Sequence, residues 1–191
     1  MLGLVSCWVG IDVGGKRKGF DVAVIDERRL VTLAGRVSRD AVVEIVDAEA
    51  PLLIGIDSPV CWAPDGQSTR AGERLLNKAV CGIRWTPDAQ TGSANSYYEW
   101  IREGLALFTA LTERGAQVIE VFPTASWTRW QGSRATSSRA HWSRAGLRAL
   151  GLGGLPARTN QDQRDAVAAA VTARQHSMGM TEVFGETVVP R

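Results

Sequence analysis

Residues 7–19 read CWVGIDVGGKRKG, an apolar run that ends in an acid, turns on two glycines and leaves through three cations. Side chains alternate faces along a strand, so Gly10, Asp12 and Gly14 share one side while Val9, Ile11 and Val13 line the other. Asp12 therefore stands at a strand end with no bulky neighbour on its own face. Gly14 and Gly15 allow positive φ and close backbone approach, which a turn beside a phosphate or a metal requires, and Lys16, Arg17 and Lys18 follow directly. An acid, bare backbone and three cations in one turn point to chemistry on a phosphate. The plain alternative is a strand that ends in a solvated hairpin.

Outward from this turn, Phe20–Ile25 and Leu30–Val37 alternate apolar with small or polar residues, which predicts an antiparallel three-strand meander. Ser38 is a suitable N-cap, and Ala41, Val42, Ile45 and Val46 recur at helical spacing before Pro51. Leu52–Asp57 is apolar on both faces and belongs in a sheet centre, as one of a parallel pair reached through the preceding helix. Asp57 is thus a second acid at a carboxyl end, where open α/β sheets hold their ligands. Residues 60–96 form a loop-rich insertion with one short helix over Thr69–Lys78, in which Arg70 and Arg74 lie one turn apart and could present two cations together. A helix over Ser96–Arg114 stops at Gly115, and Gln117–Phe122 is a buried strand carrying Glu120 and closed by Pro123. Helices over Ser137–Leu150 and Gln161–Arg174 follow, the second capped by Thr159 or Asn160 with Asp162 and Asp165 in its first turn; Thr181–Val189 reads as a small edge strand. The order predicts one α/β domain over residues 1–191, with a mixed central sheet flanked by helices.

The totals narrow the function classes. The 191 residues are 45% hydrophobic and 22% charged, which excludes a disordered chain, and the net charge of +2 does not by itself announce nucleic-acid binding. The distribution says more, because acids crowd the first third while arginines dominate from Arg114 to Arg164. Trp127, Trp130 and Trp142 stand among those arginines, and cations interleaved with aromatics suit a surface that tracks a phosphate backbone; burial in the core is the competing expectation. Cys7, Cys61 and Cys81 lack zinc spacing, and the apolar N-terminus lacks a basic leader, so no structural metal, no secretory signal, no membrane span and a cytoplasmic location are expected. His141 and His176 are the only imidazoles, and without a G-x-S-x-G turn they give little support to a serine or cysteine hydrolase.

Asp12, Asp57 and Glu120 each occupy a short apolar strand, and a buried carboxylate needs a cation, hydrogen-bond donors or a metal. Asp162 and Asp165, three apart, point the same way from a helix start, where the macrodipole also favours them. Hard oxygen ligands without a histidine cluster select Mg2+ or Mn2+, and two such ions activate water and stabilise the leaving oxygen of a phosphodiester.

The blocks GIDVGGKRKGFDVAVID, IGIDSP, Arg70 with Arg74, VIEVFPTASW, DQRDAVAAAVTAR and ETVVP resemble, in order and spacing along nearly the whole chain, the domain of unknown function 429 family (DUF429), described as nucleases of the ribonuclease H-like fold. The acid-ended first strand and the Asp-Ala helix also resemble Holliday-junction resolvases of that superfamily. The resemblance implies Asp12 as the central metal-bridging carboxylate, Asp57 as the strand-end ligand, Asp165 with Asp162 as helix ligands, and Glu120 as part of the EVFP block of the family. It implies a metal-dependent nuclease acting on DNA or RNA, with Lys16, Arg17, Lys18, Arg70 and Arg74 available to hold the strand. Two other expectations stand beside it: a catalytically inactive ribonuclease H-like module that binds nucleic acid or protein, and an actin or sugar-kinase-like nucleotide-binding turn, which this chain is too short to complete with a second half.

Overall fold

In the computed structural model, which describes residues 6–191, the opening stretch becomes β1 (Trp8–Val13), followed by β2 (Phe20–Ile25) and β3 (Leu30–Val37) as the expected antiparallel meander. The apolar residues 1–5, the start of the segment read as no secretory leader, lie outside the described part. Helix α1 (Arg39–Glu49), capped by the Ser38 hydroxyl, returns the chain to β4 (Leu53–Asp57), which pairs parallel to β1. Then come α2 (Ala71–Ala79), α3 (Ala89–Ala94), α4 (Glu99–Thr112) and β5 (Val118–Val121), parallel to β4. The chain closes with α5 (Pro123–Gln131), α6 (Arg139–Ala149), α7 (Gln161–Ser177) and a hairpin of β6 (Thr181–Phe184) and β7 (Thr187–Pro190). The mixed sheet has the order β3-β2-β1-β4-β5-β7-β6.

Four elements differ from the sequence expectation. The tail is a hairpin rather than a single edge strand: Gly185 takes the left-handed conformation, at φ 62°, and Phe184 pairs with Thr187 across a two-residue turn. This places β7 inside the sheet, parallel to β5, and leaves β6 at the edge. Pro123 opens α5 instead of only closing a strand, since its missing N–H costs nothing at the first helical position. In the insertion, Asp88 caps the additional short helix α3 by accepting from the Thr91 N–H. A 3-10 turn over Ser96–Tyr98 precedes α4, so the long helix starts at Glu99.

The sheet is covered on both sides. Val9, Ile11 and Val13 pack with Val42 and Val46 of α1 and with Leu107, Phe108 and Leu111 of α4. Trp8, Ala23 and Ile25 face the alanine-rich α7, with Trp127 of α5 and Trp142 and Leu147 of α6 completing that layer. The tryptophans of the basic segment therefore build core: Trp127 and Trp142 are buried, and Trp130 directs its indole N–H to Gln175. No helix among the described residues is long and apolar enough to cross a membrane.

Two glycines set the distance between α7 and the sheet. A Cβ on Gly10 would overlap the Ala166 carbonyl oxygen and the Ala170 nitrogen, and one on Gly55 would lie 2.5 Å from the Ala169 carbonyl oxygen. These obstacles are backbone and cannot rotate away. We expect Gly10→Ala to cost about 1–3 kcal/mol or more, as overpacking does, read as a lower urea midpoint at unchanged m-value. Since later residues of β1 sit under earlier residues of α7, the same approach brings Asp12 beneath the first turns of the helix.

Candidate active site

The strand register assembles the site. Asp12 pairs directly with Asp21 on one side and with Asp57 on the other, and directly paired residues share a face, so three carboxylates form a row across β2, β1 and β4. The neighbouring strands lie about 4.8 Å apart. Above this row, Asn160 caps α7 with a reciprocal Gln163 bond and places Asp162 and Asp165 over the sheet. Asp12, Asp21 and Asp162 each offer an oxygen within 4.8 Å of the others. Asp21 is 1% exposed and its Oδ1 has no hydrogen-bond partner.

The electrostatics follow from like charges sharing a dry place. Burial, reinforced by Asp165 and Asp162, pushes the Asp12 carboxyl up to about 8. Burial and the adjacent Asp12 and Asp165 raise Asp57 well above the usual carboxylate range. Asp21 is raised by burial and by Asp162, and Asp165 by burial against the opposing pull of Arg139. Two side chains answer this charge. Lys18 Nζ lies 2.8 Å from Asp162 and 3.7 Å from Asp12; burial works against its charge, but these acids outweigh it and raise its pKa. Arg139 donates to Asp165 at 2.8 Å, which also accepts from the Trp127 indole and from Gln161. An all-carboxylate donor set without imidazole or thiolate suits a hard divalent cation.

Other expected site residues stand elsewhere. Glu120 lines the same cavity, but its oxygens are taken: Arg70 donates to both at 2.6 and 2.7 Å, and Thr187 and the Val60 N–H add two more bonds. It is one half of a buried ion pair, not an open carboxylate. Arg70 also donates to Glu73 and is 3% exposed, so it does not form a cation pair for a strand with Arg74, which is exposed, bonds the Thr69 carbonyl and lies outside the cavity. The reason is geometric: Arg70 is the N-cap of α2 and turns inward, whereas Arg74 is on the solvent face. Lys16 and Arg17 are exposed on the turn between β1 and β2, held there by a Gly14 N–H bond to the Gly19 carbonyl and by Glu99, which accepts from the Lys16 N–H.

Sequence reasoning missed Asp21. Its signal was present, because a charged residue at the second position of FDVAVI, one step from the turn, falls opposite Asp12 once Val13 pairs with Phe20. Asp12, Asp57, Asp162 and Asp165 open into a cavity of about 670 Å3 whose lining also includes Ile83, Arg84 and Trp100.

The family model described as "Protein of unknown function (DUF429)" matches residues 10–188. No curated protein gives a significant match. Among solved structures, the chain is similar to RuvC of Thermus thermophilus, with 16% identity, a TM-score of 0.53, and coverage of 91% of this chain and 96% of that one. It is similar, at the same identity and coverage and with a TM-score of 0.58, to T. thermophilus RuvC in complex with a Holliday junction substrate. The fold is ribonuclease H-like.

Proposed function

Starting from a chain that belongs to the DUF429 family and folds as RuvC does, we propose that it is a divalent-metal-dependent nuclease that hydrolyses phosphodiester bonds in DNA or RNA. The observation that carries this reading is the carboxylate row, buried at Asp12 and Asp21 and half-buried at Asp57, with acids of α7 above it, a concentration of like charge that is costly unless a cation joins it. The unpaired Asp21 Oδ1 fits the same account, since an orphaned buried acceptor is otherwise a plain loss.

Asp12, Asp57, Asp162 and Asp165 would hold Mg2+ or Mn2+, with Asp21 as a further donor. The bound ions supply a nucleophilic water at neutral pH and stabilisation of the charge that develops on the leaving oxygen. The chain itself binds and orients. Lys16 and Arg17, free on the turn, attract the phosphates that flank the scissile bond. Lys18 neutralises Asp12 and Asp162 and is half-exposed, so its ammonium can turn toward a phosphate when that neutralisation is provided otherwise. Asp12, whose carboxyl is raised to about 8, would give up its proton on binding a cation, and burial beside Asp12 and Asp165 raises Asp57 in the same direction. The similar RuvC bound to a Holliday junction supports nucleic acid as the partner class.

A second reading is an inactive binding module of the same fold. The bonds from Arg139, Trp127 and Gln161 that occupy Asp165 favour it. End-labelled single strands, duplexes, four-way junctions and RNA, incubated with Mg2+, Mn2+ or EDTA, separate the two. The nuclease reading expects metal-dependent fragments, reduced about 1,000-fold or more by Asp12→Asn. Intact substrates in every lane would leave the binding module as the function.

A further inference from the structure

We propose that the insertion between β4 and α4 is a reader of unpaired nucleotides, so that the substrate enters the carboxylate cavity as a single strand. The proposal rests on the nuclease reading for the identity of the polymer and adds the form in which it binds.

Beside the acids, the cavity is walled by Ile83, Arg84 and Trp100, contributed by the insertion and the start of α4. Next to Arg84, outside the cavity lining, stand Trp85 at 41% exposure and Tyr97 at 53%, the only aromatic side chains among the large apolar residues exposed in the described chain. The remaining tryptophans near the sheet are committed to core or partly buried, so these two are not explained by packing. Arg84 joins them: its guanidinium donates to the Tyr97 hydroxyl at 2.9 Å and lies 6.0 Å from the ring centroid, while Tyr98 meets Tyr97 edge-on at 5.1 Å. Open aromatic faces with a cation alongside are what base stacking and phosphate attraction use together on single strands.

The wall is also fixed in place, as a recognition surface must be. The Thr86 N–H and hydroxyl both bond the buried Glu73, Glu73 accepts from Arg70, and Arg70 grips Glu120 on β5. The network that pairs Glu120 with Arg70 thus ties Thr86, the neighbour of Trp85, to the sheet that carries the acids. Size agrees as well. A cavity of about 670 Å3 lies in the range that takes a small-molecule ligand and has room for one or two nucleotides. Every base offers a π-face, so no sequence preference is implied.

The test is fluorescence anisotropy with fluorescein-labelled (dT)30 and the same strand annealed to (dA)30, in buffer containing Ca2+, a hard-oxygen probe ion. The parent is expected to bind the single strand at least tenfold more tightly than the duplex. Trp85→Ala and Tyr97→Ala should each weaken single-strand binding by about 5- to 150-fold, the loss that one stacked base represents, with duplex binding unchanged. Trp85→Phe and Tyr97→Phe should retain most of the affinity, and circular dichroism should match the parent throughout. Equal or tighter duplex binding, unchanged affinity in both alanine variants, or no binding of either probe would overturn the proposal. Metal-dependent cleavage is scored separately, so a nuclease that prefers duplex refutes this inference alone, and a strand-binding protein that never cleaves refutes only the nuclease reading.

Discussion

Asp12→Asn will cut the proposed metal-dependent cleavage about 1,000-fold or more while making the metal-free protein more stable above neutral pH. Asp12 is the middle member of the Asp21–Asp12–Asp57 row and faces Asp162, so it is the one residue every neighbouring carboxylate adjoins. Its carboxyl is raised to about 8 in the fold, against an ordinary value near 3.8. Between these two values the folded protein keeps a proton that the unfolded chain has lost. Stability therefore falls as pH rises through that window and levels off above it. A difference of about four units, at 1.36 kcal/mol each, sets a penalty on the order of 5 kcal/mol by pH 8. For a chain of this size, that lowers the melting temperature of the metal-free parent by about 10 °C or more between pH 5 and pH 8. Asparagine keeps the shape and cannot ionise, so the variant's melting temperature should depend much less on pH, which differential scanning fluorimetry in EDTA reads directly. A parent whose melting temperature is level or rises over this range would show that the carboxylates do not share a dry site.

Arg70→Met will destabilise the fold by about 3–5 kcal/mol, the usual consequence of leaving buried charge without its partner. Here one guanidinium answers two buried glutamates, Glu73 and Glu120, and nothing else among the described residues brings a cation to either. The expected fall in melting temperature is about 6–20 °C. Adding Glu120→Gln removes one of the two stranded charges and should recover part of the loss, and that recovery separates charge imbalance from simple loss of packing. Because Thr86 hangs on Glu73, the single variant should also be cut by trypsin after Arg84 faster than the parent, relative to its other sites. An Arg70→Met protein as stable as the parent would contradict the anchoring role given to this network.

What was legible in the sequence was what depends on local pattern. Strands apolar to their last residue and then acidic marked Asp12 and Asp57, and the Asn160-capped alanine-rich helix marked Asp162 and Asp165. The order of alternating and continuous runs also predicted the antiparallel meander and a mixed sheet with parallel strands, while the pairing of β4 with β1 and of β5 with β4 came from the structure. What was not legible depends on register and on which way a long side chain turns. Asp21 joins the row only because the Gly14–Gly19 turn fixes which residue of β2 opposes Asp12. Arg70 and Arg74 have the spacing of a helical pair, yet the cap position turns one inward to two glutamates and leaves the other in solvent. Trp127 and Trp142 look like a nucleic-acid surface by composition, and become core because α5 and α6 fold over α7. The aromatic surface that does face solvent lies in the insertion and in the turn that follows it, where Trp85 and Tyr97 have no periodic pattern to announce them.

The central claim, that these carboxylates form a site for a divalent cation, is tested most directly by calorimetric titration of Mn2+ into the metal-free protein and into Asp12→Asn. The account predicts saturable binding by the parent, with a proton released as Asp12 ionises, and no measurable binding by the folded variant. A folded parent that takes up no Mn2+, or a variant that binds it as the parent does, would contradict the account.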